Sequence, residues 1–400
     1  MISLAVVFFV LLTLYVAVLQ VLLPNQIQDF DPAGKATHLG VLFAITSIFS
    51  TTMTPLSGAL SDRTRTRFGR RTPWIVLGSM IGGSALILVP HAHGMASITA
   101  TWLVASISLN SMQTPITTVI AERFAPGRRG VASGVVGAAM TGGVSAGTVF
   151  GGLFADQMQF AYGVLGVGIM VACLLFVFLN PEPRTKQEPP APFQLGPFLR
   201  SFWVSPREYP DFAWAFFGRF TIYMGYQAVV TYLLYILEDH IGLSQAEANR
   251  TIARLASITL VALVCAAVGS GWFSDRIGRR KPLVFVAALF MAAAVISPLV
   301  APTISGMIVY AVLIGIGYGA FMSVDLALMT QVLPKRTDTD STGKDLGILA
   351  TAINVPQILS PVLSAALLGA TGNNYTLLFV AAGLFVFVGS FLVLPIRSVP

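Results

Sequence analysis

Charged residues are scarce in this sequence, and their scarcity excludes an ordinary water-soluble fold. Only 10% of the 400 residues are charged, whereas 55% are hydrophobic and the mean hydropathy is +0.78. A soluble domain of this length cannot hide so many apolar side chains from water. We therefore expect the chain to lie in a membrane.

Cysteine, histidine and the common catalytic motifs are also rare or absent. Two cysteines and four histidines are too few and too scattered for a disulfide framework or a metal site. The sequence contains no P-loop, dinucleotide-binding fingerprint, HExxH motif or nucleophile elbow. We therefore expect no enzymatic activity, no resident cofactor and no metal.

Twelve apolar segments have the length of about 20 residues that is needed to cross the hydrocarbon core of a bilayer. They lie at about 2–24, 38–60, 73–91, 96–120, 131–155, 159–180, 212–238, 246–273, 282–301, 304–332, 346–370 and 374–396. Placing both termini in the cytoplasm puts most of the 24 lysine and arginine residues on the inner side. This asymmetry explains the net charge of +7 without a nucleic-acid partner. It predicts a multi-pass protein of the plasma membrane, most simply a bacterial inner membrane.

A polar, proline-rich segment divides these spans into two sets of six. Prolines at 181, 183, 189, 190 and 192 and scattered charges occur between Asn180 and Asp211, as is typical of an extended linker. The sequence therefore predicts an all-α membrane protein of two pseudo-symmetric six-helix bundles. The bundles are expected at 1–180 and 212–400, with a cytoplasmic linker at 181–211.

The same residue pattern follows the second span of each half. The two copies are Gly58, Asp62, Arg63, Gly69, Arg70 and Arg71, and Gly271, Asp275, Arg276, Gly278, Arg279 and Arg280. We expect the first glycine to allow two helices to approach, and the arginines to bind helix-end carbonyls, the aspartate and lipid phosphates. Two copies at repeat spacing indicate duplication of a six-span unit, in which these loops act as gates.

This repeated pattern strongly resembles the signature loop of the major facilitator superfamily, over the whole chain. The resemblance implies a secondary transporter of a small-molecule solute that works by alternating access as a monomer. The transporter would draw on a proton gradient, with sodium not excluded. The first loop is four residues longer than the second, and this longer form is similar to that of sucrose carriers and glycoside-pentoside-hexuronide cation symporters. The fourth span and Gly343–Gly347 resemble the same branch, whereas Leu109 stands where proton-coupled sucrose carriers have an acid.

Two ionisable residues, Arg219 and Asp325, lie deep within predicted spans. A charge at mid-depth costs about 2.5 to 3.5 kcal/mol on insertion, so such residues are functional candidates. Each lies roughly 10 Å from the inner end of its span, so we expect the two to pair. Asp325 is then either the proton-linked carboxylate with Arg219 as its counter-ion, or one side of a permanent structural salt bridge.

Neutral polar residues form stripes at helical spacing on several spans. As candidates for a solute site we predict Gln20, Asn110, Gln113, Thr117, Tyr223, Tyr226, Gln227, Asn354 and Gln357. Their donors, acceptors and aromatic faces suit a hydroxyl-rich solute. Hydrogen bonding between helices of the bundle is the alternative explanation for individual members.

The fifth span contains a glycine-rich segment, Gly143–Gly152, that resembles a motif of drug and proton antiporters, with Thr148 in place of the usual proline. Because the proline is missing, close helix packing by small residues is the favoured explanation of this segment. The sequence therefore favours a proton-coupled symporter for a sugar or glycoside. Two alternatives stay open, namely a proton-driven exporter of an amphipathic compound and a sensor that binds a solute without moving it.

Overall fold

The computed structural model describes residues 1–123, 126–182, 207–277, 280–331 and 342–396, and every regular element in these ranges is helical. Each predicted span corresponds to one helix. The helices are α1 Ile2–Phe30, α2 Lys35–Arg63, α3 Thr72–Leu88, α4 Met95–Arg123, α5 Pro126–Phe154, α6 Met158–Leu179, α7 Pro210–Thr231, α8 Gln245–Ile277, α9 Lys281–Val300, α10 Ile304–Gln331, α11 Thr342–Ala370 and α12 Tyr375–Leu392. The expected all-α architecture is confirmed.

Apolar length varies among these helices. Within the described ranges, eight helical stretches are long and apolar enough to cross a membrane, or nine when α7 is counted together with the bent segment that follows it. The α5–α6 stretch counts once, and the described residues of α2 include a shorter apolar stretch, Lys35–Ser50.

The helices form two compact units, each with its own packing. Unit 1 contains α1–α6 and the first residues of α8, Gln245–Ala253, whereas unit 2 contains α7, the rest of α8 and α9–α12. In unit 1, α1 packs on α5 and α6, and α3 packs on α4 and α6; in unit 2, α7 packs on α11 and α12, and α9 packs on α10 and α12. The helices of unit 1 thus pack in the same pattern as the helices that follow six positions later in the chain. The predicted linker lies mostly outside the described residues, so its limits and the domain boundaries stay predictions.

Helices α1 and α7 both depart from a regular α-helix. In α1, Pro24 has no N–H for the carbonyl four residues earlier, and the chain forms a π-helical turn at Val18–Leu22. Within the predicted seventh span, 212–238, α7 ends at Thr231 and Leu233–His240 continues at an angle of 56°. This second segment ends in another π-helical turn, Ile236–His240.

The glycine-rich segment of α5 packs directly on the backbone of α1. A Cβ atom at Gly143 would lie 2.5 Å from the carbonyl oxygen of Phe9, and one at Gly147 would lie 2.5 Å from that of Thr13. No side chain fits between helices that are this close. Close packing therefore accounts for these two glycines.

Candidate functional site

Arg219 of α7 and Asp325 of α10 form an ion pair inside unit 2. The Nε atom of Arg219 lies 3.0 Å from Oδ2 of Asp325, and the two side chains are 8% and 2% exposed. These two atoms do not form a hydrogen bond with each other. The distance still defines the contact, because charge attraction depends on separation and strengthens where water is excluded. Neither charge would be tolerated at this depth without the other.

Tyrosines surround this ion pair on both helices. Tyr223 lies one turn after Arg219, and its hydroxyl lies 3.3 Å from that of Tyr318 on α10. The rings of Tyr226 and Tyr318 stack with centroids 4.7 Å apart and planes 6° from parallel. The ring of Phe321 contacts Tyr223 edge to face at 6.2 Å. We call this set the α7–α10 site; it consists of Arg219, Tyr223, Tyr226, Tyr318, Phe321 and Asp325.

The α7–α10 site combines one titratable charge pair with several aromatic faces. Protonation of the Asp325 carboxylate would remove its attraction for Arg219 and leave the guanidinium available to another acceptor. The tyrosines offer apolar surface together with hydroxyl groups that both donate and accept. The arrangement can therefore link a proton to the binding of a solute with aromatic or apolar surface.

A second polar cluster lies in unit 1 around Asn110. The Nδ2 group of Asn110 on α4 donates to the hydroxyl of Tyr15 on α1 at 3.0 Å and to the carbonyl of Ser106 at 2.8 Å. Ser106 also bonds to Ser50 of α2 through their hydroxyls at 2.6 Å. The ring of Trp102 lies edge to face with Tyr15 at 6.4 Å. The cluster that contains the predicted solute residue Asn110 thus joins α1, α2 and α4.

The other predicted solute residues lie apart from these two clusters. Gln20 lies in the π-turn of α1 and accepts from Thr148 at 3.2 Å. Thr117 donates to the backbone carbonyl of Gln113, and Gln227 donates to Thr231 on its own helix. Asn354 and Gln357 of α11 have exposed side chains. Among the described contacts, none joins Gln227, Asn354 or Gln357 to the α7–α10 site.

The first glycine of each repeated loop lies at a close helix contact. A Cβ atom at Gly58 would be 3.2 Å from the side chain of Thr114, and one at Gly271 would be 3.0 Å from that of Ser323. These contacts join α2 to α4 and α8 to α10, which are corresponding pairs in the two units. The side chains of Asp62 and Asp275 lie outside the described part of the structure, as do Gly278 and Arg279.

The arginines of these loops differ in exposure. Arg71 is buried and its side chain donates to the hydroxyl of Thr118. Arg63 is exposed, whereas Arg70 and Arg280 are half-buried. Arg276 lies over the ring of Trp272, with 5.3 Å between the guanidinium carbon and the ring centroid. The roles proposed for these loops as gates stay predictions.

An acid that the sequence analysis passed over, Glu182, binds the first loop. Its carboxylate accepts from the backbone N–H of Arg71 at 2.9 Å, and from the N–H and hydroxyl of Thr72 at 3.1 and 3.2 Å. Because Thr72 begins α3, these N–H groups are ones that the helix itself leaves unpaired. Only the position of Glu182 directly after a span could have indicated this contact.

The sequence and the fold were compared with those of known proteins. The family model described as "Major Facilitator Superfamily" matches residues 3–337 and 216–400. The "Fujikurins efflux protein" of Gibberella fujikuroi is 26% identical over 86% of this chain and 70% of its own length. The "Tetracycline resistance protein, class D" of Salmonella ordonez is 24% identical over 88% of this chain and 85% of its own length. The crystal structure of a D-xylose-proton symporter, 16% identical, superposes with a TM-score of 0.68 over 100% of this chain and 97% of its own.

Proposed function

Since the chain belongs to the major facilitator superfamily and is a multi-pass membrane transporter rather than an enzyme, we propose that it exports an amphipathic compound in exchange for protons. Asp325 carries the proton in this proposal, and the α7–α10 site binds the compound. The choice of export over the sugar symport favoured by the sequence rests on the geometry of that site and on the two relatives.

The ion pair supports proton coupling. When Asp325 is ionised, Arg219 is neutralised by a partner 3.0 Å away. When Asp325 takes up a proton, that attraction disappears and the buried guanidinium needs another partner or a different surrounding. A proton can therefore change the relative stability of two conformations, as coupled transport requires.

The chemistry of the site supports an amphipathic cargo. Tyr223, Tyr226, Tyr318 and Phe321 give aromatic surface next to the charge pair. Such surface favours a solute with rings or apolar faces, held in orientation by a few polar groups. The names of the two relatives, for efflux and for tetracycline resistance, support export of such a compound.

Proton-coupled sugar symport is the second candidate. The four-residue extension of the first loop supports it, as does the cluster of Tyr15, Ser106 and Asn110, whose neutral hydrogen-bonding groups suit hydroxyl-rich solutes. The superposed D-xylose-proton symporter shows that the fold accommodates such a cargo. Function as a monomer, contact with lipid phosphates, a bacterial inner membrane and cytoplasmic termini stay predictions.

Uptake into proteoliposomes under an imposed pH gradient distinguishes these functions, whichever way the protein inserts. An antiporter accumulates labelled tetracycline when the lumen is acidic, because protons leave as the drug enters. A symporter accumulates labelled D-xylose when the bath is acidic. Saturable binding of either compound without any flux supports the sensor and contradicts both transport proposals.

The coupling role of Asp325 is tested in the same vesicles. We expect Asp325→Asn to abolish gradient-driven accumulation of tetracycline while retaining exchange of labelled for unlabelled drug. Glu247→Gln removes an exposed carboxylate from α8 and serves as the matched control, with accumulation unchanged. Undiminished accumulation by Asp325→Asn would assign the pair a purely structural role.

A further inference from the structure

The indole N–H of Trp102 is a buried hydrogen-bond donor that has no acceptor among the described residues. Trp102 lies on α4 and is 1% exposed, and its Nε1 atom makes no hydrogen bond there. An indole N–H can only donate, and a buried donor left unpaired destabilises the structure. Phenylalanine would fill much of the same space without that penalty. Packing alone therefore does not explain a tryptophan here.

The surroundings of Trp102 belong to the polar cluster of unit 1. Trp102, Ser106 and Asn110 are spaced i, i+4 and i+8 and so share one face of α4. Tyr15 of α1 touches both ends of this face, because its ring contacts Trp102 and its hydroxyl accepts from Asn110. Tyr15 thus links Trp102 to Asn110, which the sequence already predicts to bind solute.

The unused hydrogen-bonding capacity of the cluster defines the group that would complete it. Asn110 directs its Nδ2 group at Tyr15 and at the carbonyl of Ser106. Tyr15 accepts in the first of these bonds, so its own hydroxyl hydrogen is available to donate. Together with the indole N–H, the cluster therefore has two donors, one on α1 and one on α4. Two such donors match a carbonyl, hydroxyl or ether oxygen.

We propose that Trp102 is a specificity-determining residue whose indole N–H donates to an oxygen atom of the transported solute. Tyr15, whose ring contacts the indole, is half-buried and not fully enclosed. The inference rests on the proposed transport function, and it adds that a preferred cargo carries an oxygen acceptor. A cargo without oxygen gains nothing from this residue.

Transport selectivity tests the proposal through Trp102→Phe, which keeps an aromatic ring and removes the N–H. The probes are tetracycline, which is rich in carbonyl and hydroxyl oxygens, and tetraphenylphosphonium, which has none. We expect KM for tetracycline to rise about tenfold while that for tetraphenylphosphonium stays within twofold. Trp214→Phe, at an exposed position of α7, is the control. Equal changes for both probes would mean that Trp102 only packs, and the inference would fall.

A spectroscopic measurement separates this inference from the transport proposal. The indole signal of Trp102 in 15N-labelled protein is assigned by its loss in Trp102→Phe, and tetracycline is then added. We expect the N–H proton to move downfield as it gains an acceptor. A downfield shift without transport would keep this inference and contradict the proposed function. No shift at a saturating concentration overturns the inference, whether or not the drug is moved.

Discussion

The carboxylate of Glu182 accepts from the backbone N–H of Thr72 at 3.1 Å, so the residue that follows α6 caps the start of α3. The partial positive charge at a helix N-terminus favours a carboxylate in this position. Gly69 lies against the same carboxylate with a φ angle of +98°, and a Cβ atom there would collide with Glu182. The first repeated loop therefore has a defined conformation that depends on this one acid.

Gly69→Ala should lower the thermal unfolding temperature of the purified protein. The left-handed backbone costs a non-glycine residue about 1 kcal/mol, and the new methyl group also displaces Glu182. Gly242→Ala is the matched control, because Gly242 has a φ angle of +83° and open space around its Cβ position. Equal losses in the two variants would show that the contact with Glu182 contributes nothing.

Asp325→Asn and Arg219→Met should each destabilise unit 2 more than the two changes do together. Either single substitution leaves a buried group without its charged partner, which costs about 3 to 5 kcal/mol, whereas removing both leaves no charge to bury. Thermal unfolding of the wild type, the two single variants and the double variant completes the cycle. A double variant as unstable as the sum of the single changes would contradict the burial argument.

Gly147→Ala should destabilise the protein, and Gly137→Ala should not. A Cβ atom at Gly147 meets the backbone of α1, whereas one at Gly137 on the same helix meets nothing within 4 Å. Forcing α1 and α5 apart costs about 1 to 3 kcal/mol, while alanine at an open helical site gains roughly 0.5 to 1 kcal/mol over glycine. Thermal unfolding of both variants measures the difference, and a loss at Gly137 would count against the packing explanation.

Asp31, in the turn between α1 and α2, should contribute to stability at neutral pH and lose that contribution in acid. The backbone N–H of Gly34 and then the side chain of His38 hold the pKa of Asp31 below its ordinary value of 3.8. A lowered carboxyl pKa means that folding favours the ionised form. The contribution is therefore complete above pH 3.8 and is lost as the pH falls through the lowered value.

Thermal unfolding of the wild type and of Asp31→Asn between pH 7 and pH 3 measures this contribution. Their difference should be small, because Asp31 is only half-buried, and should shrink below pH 3.8. His38→Gln should keep the larger part of the pKa shift, since the bond from Gly34 at 3.1 Å stays. A 13C titration of the Asp31 carboxyl that gives a pKa of 3.8 in His38→Gln would show that His38, and not Gly34, is the main cause of the lowered pKa.

The sequence was sufficient to predict the helices and the depth of their charged residues. Hydropathy reports the length of a span directly, and counting along a helix places Arg219 and Asp325 at a similar depth. It could not predict the bend after Thr231, because no proline or glycine occurs in the residues around it. At the bend, Tyr232 has φ and ψ angles of −101° and 13°, and a tyrosine does not specify this conformation.

Aromatic residues account for most of what the sequence missed at the candidate site. Tyr318 stacks on Tyr226, whereas Phe217 on α7 is 50% exposed. Both are aromatic residues within an apolar span, and nothing in their local sequence separates them. The spacing of seven residues between Tyr318 and Asp325 was the available signal, since it places the two on one helix face. Trp102 has no charged residue at such a spacing that could have marked it as a candidate.

The ion pair between Arg219 and Asp325 also sets an order of events during biosynthesis. Asp325 follows Arg219 by roughly 100 residues, and ribosomes add about 5 to 20 residues per second. For roughly 5 to 20 seconds, the helix that contains Arg219 must therefore stay beside the insertion machinery or extend the arginine side chain to the lipid headgroups. Its counter-ion arrives only when α10 has been made. Membrane insertion of α7 thus becomes a cooperative step of the whole C-terminal half.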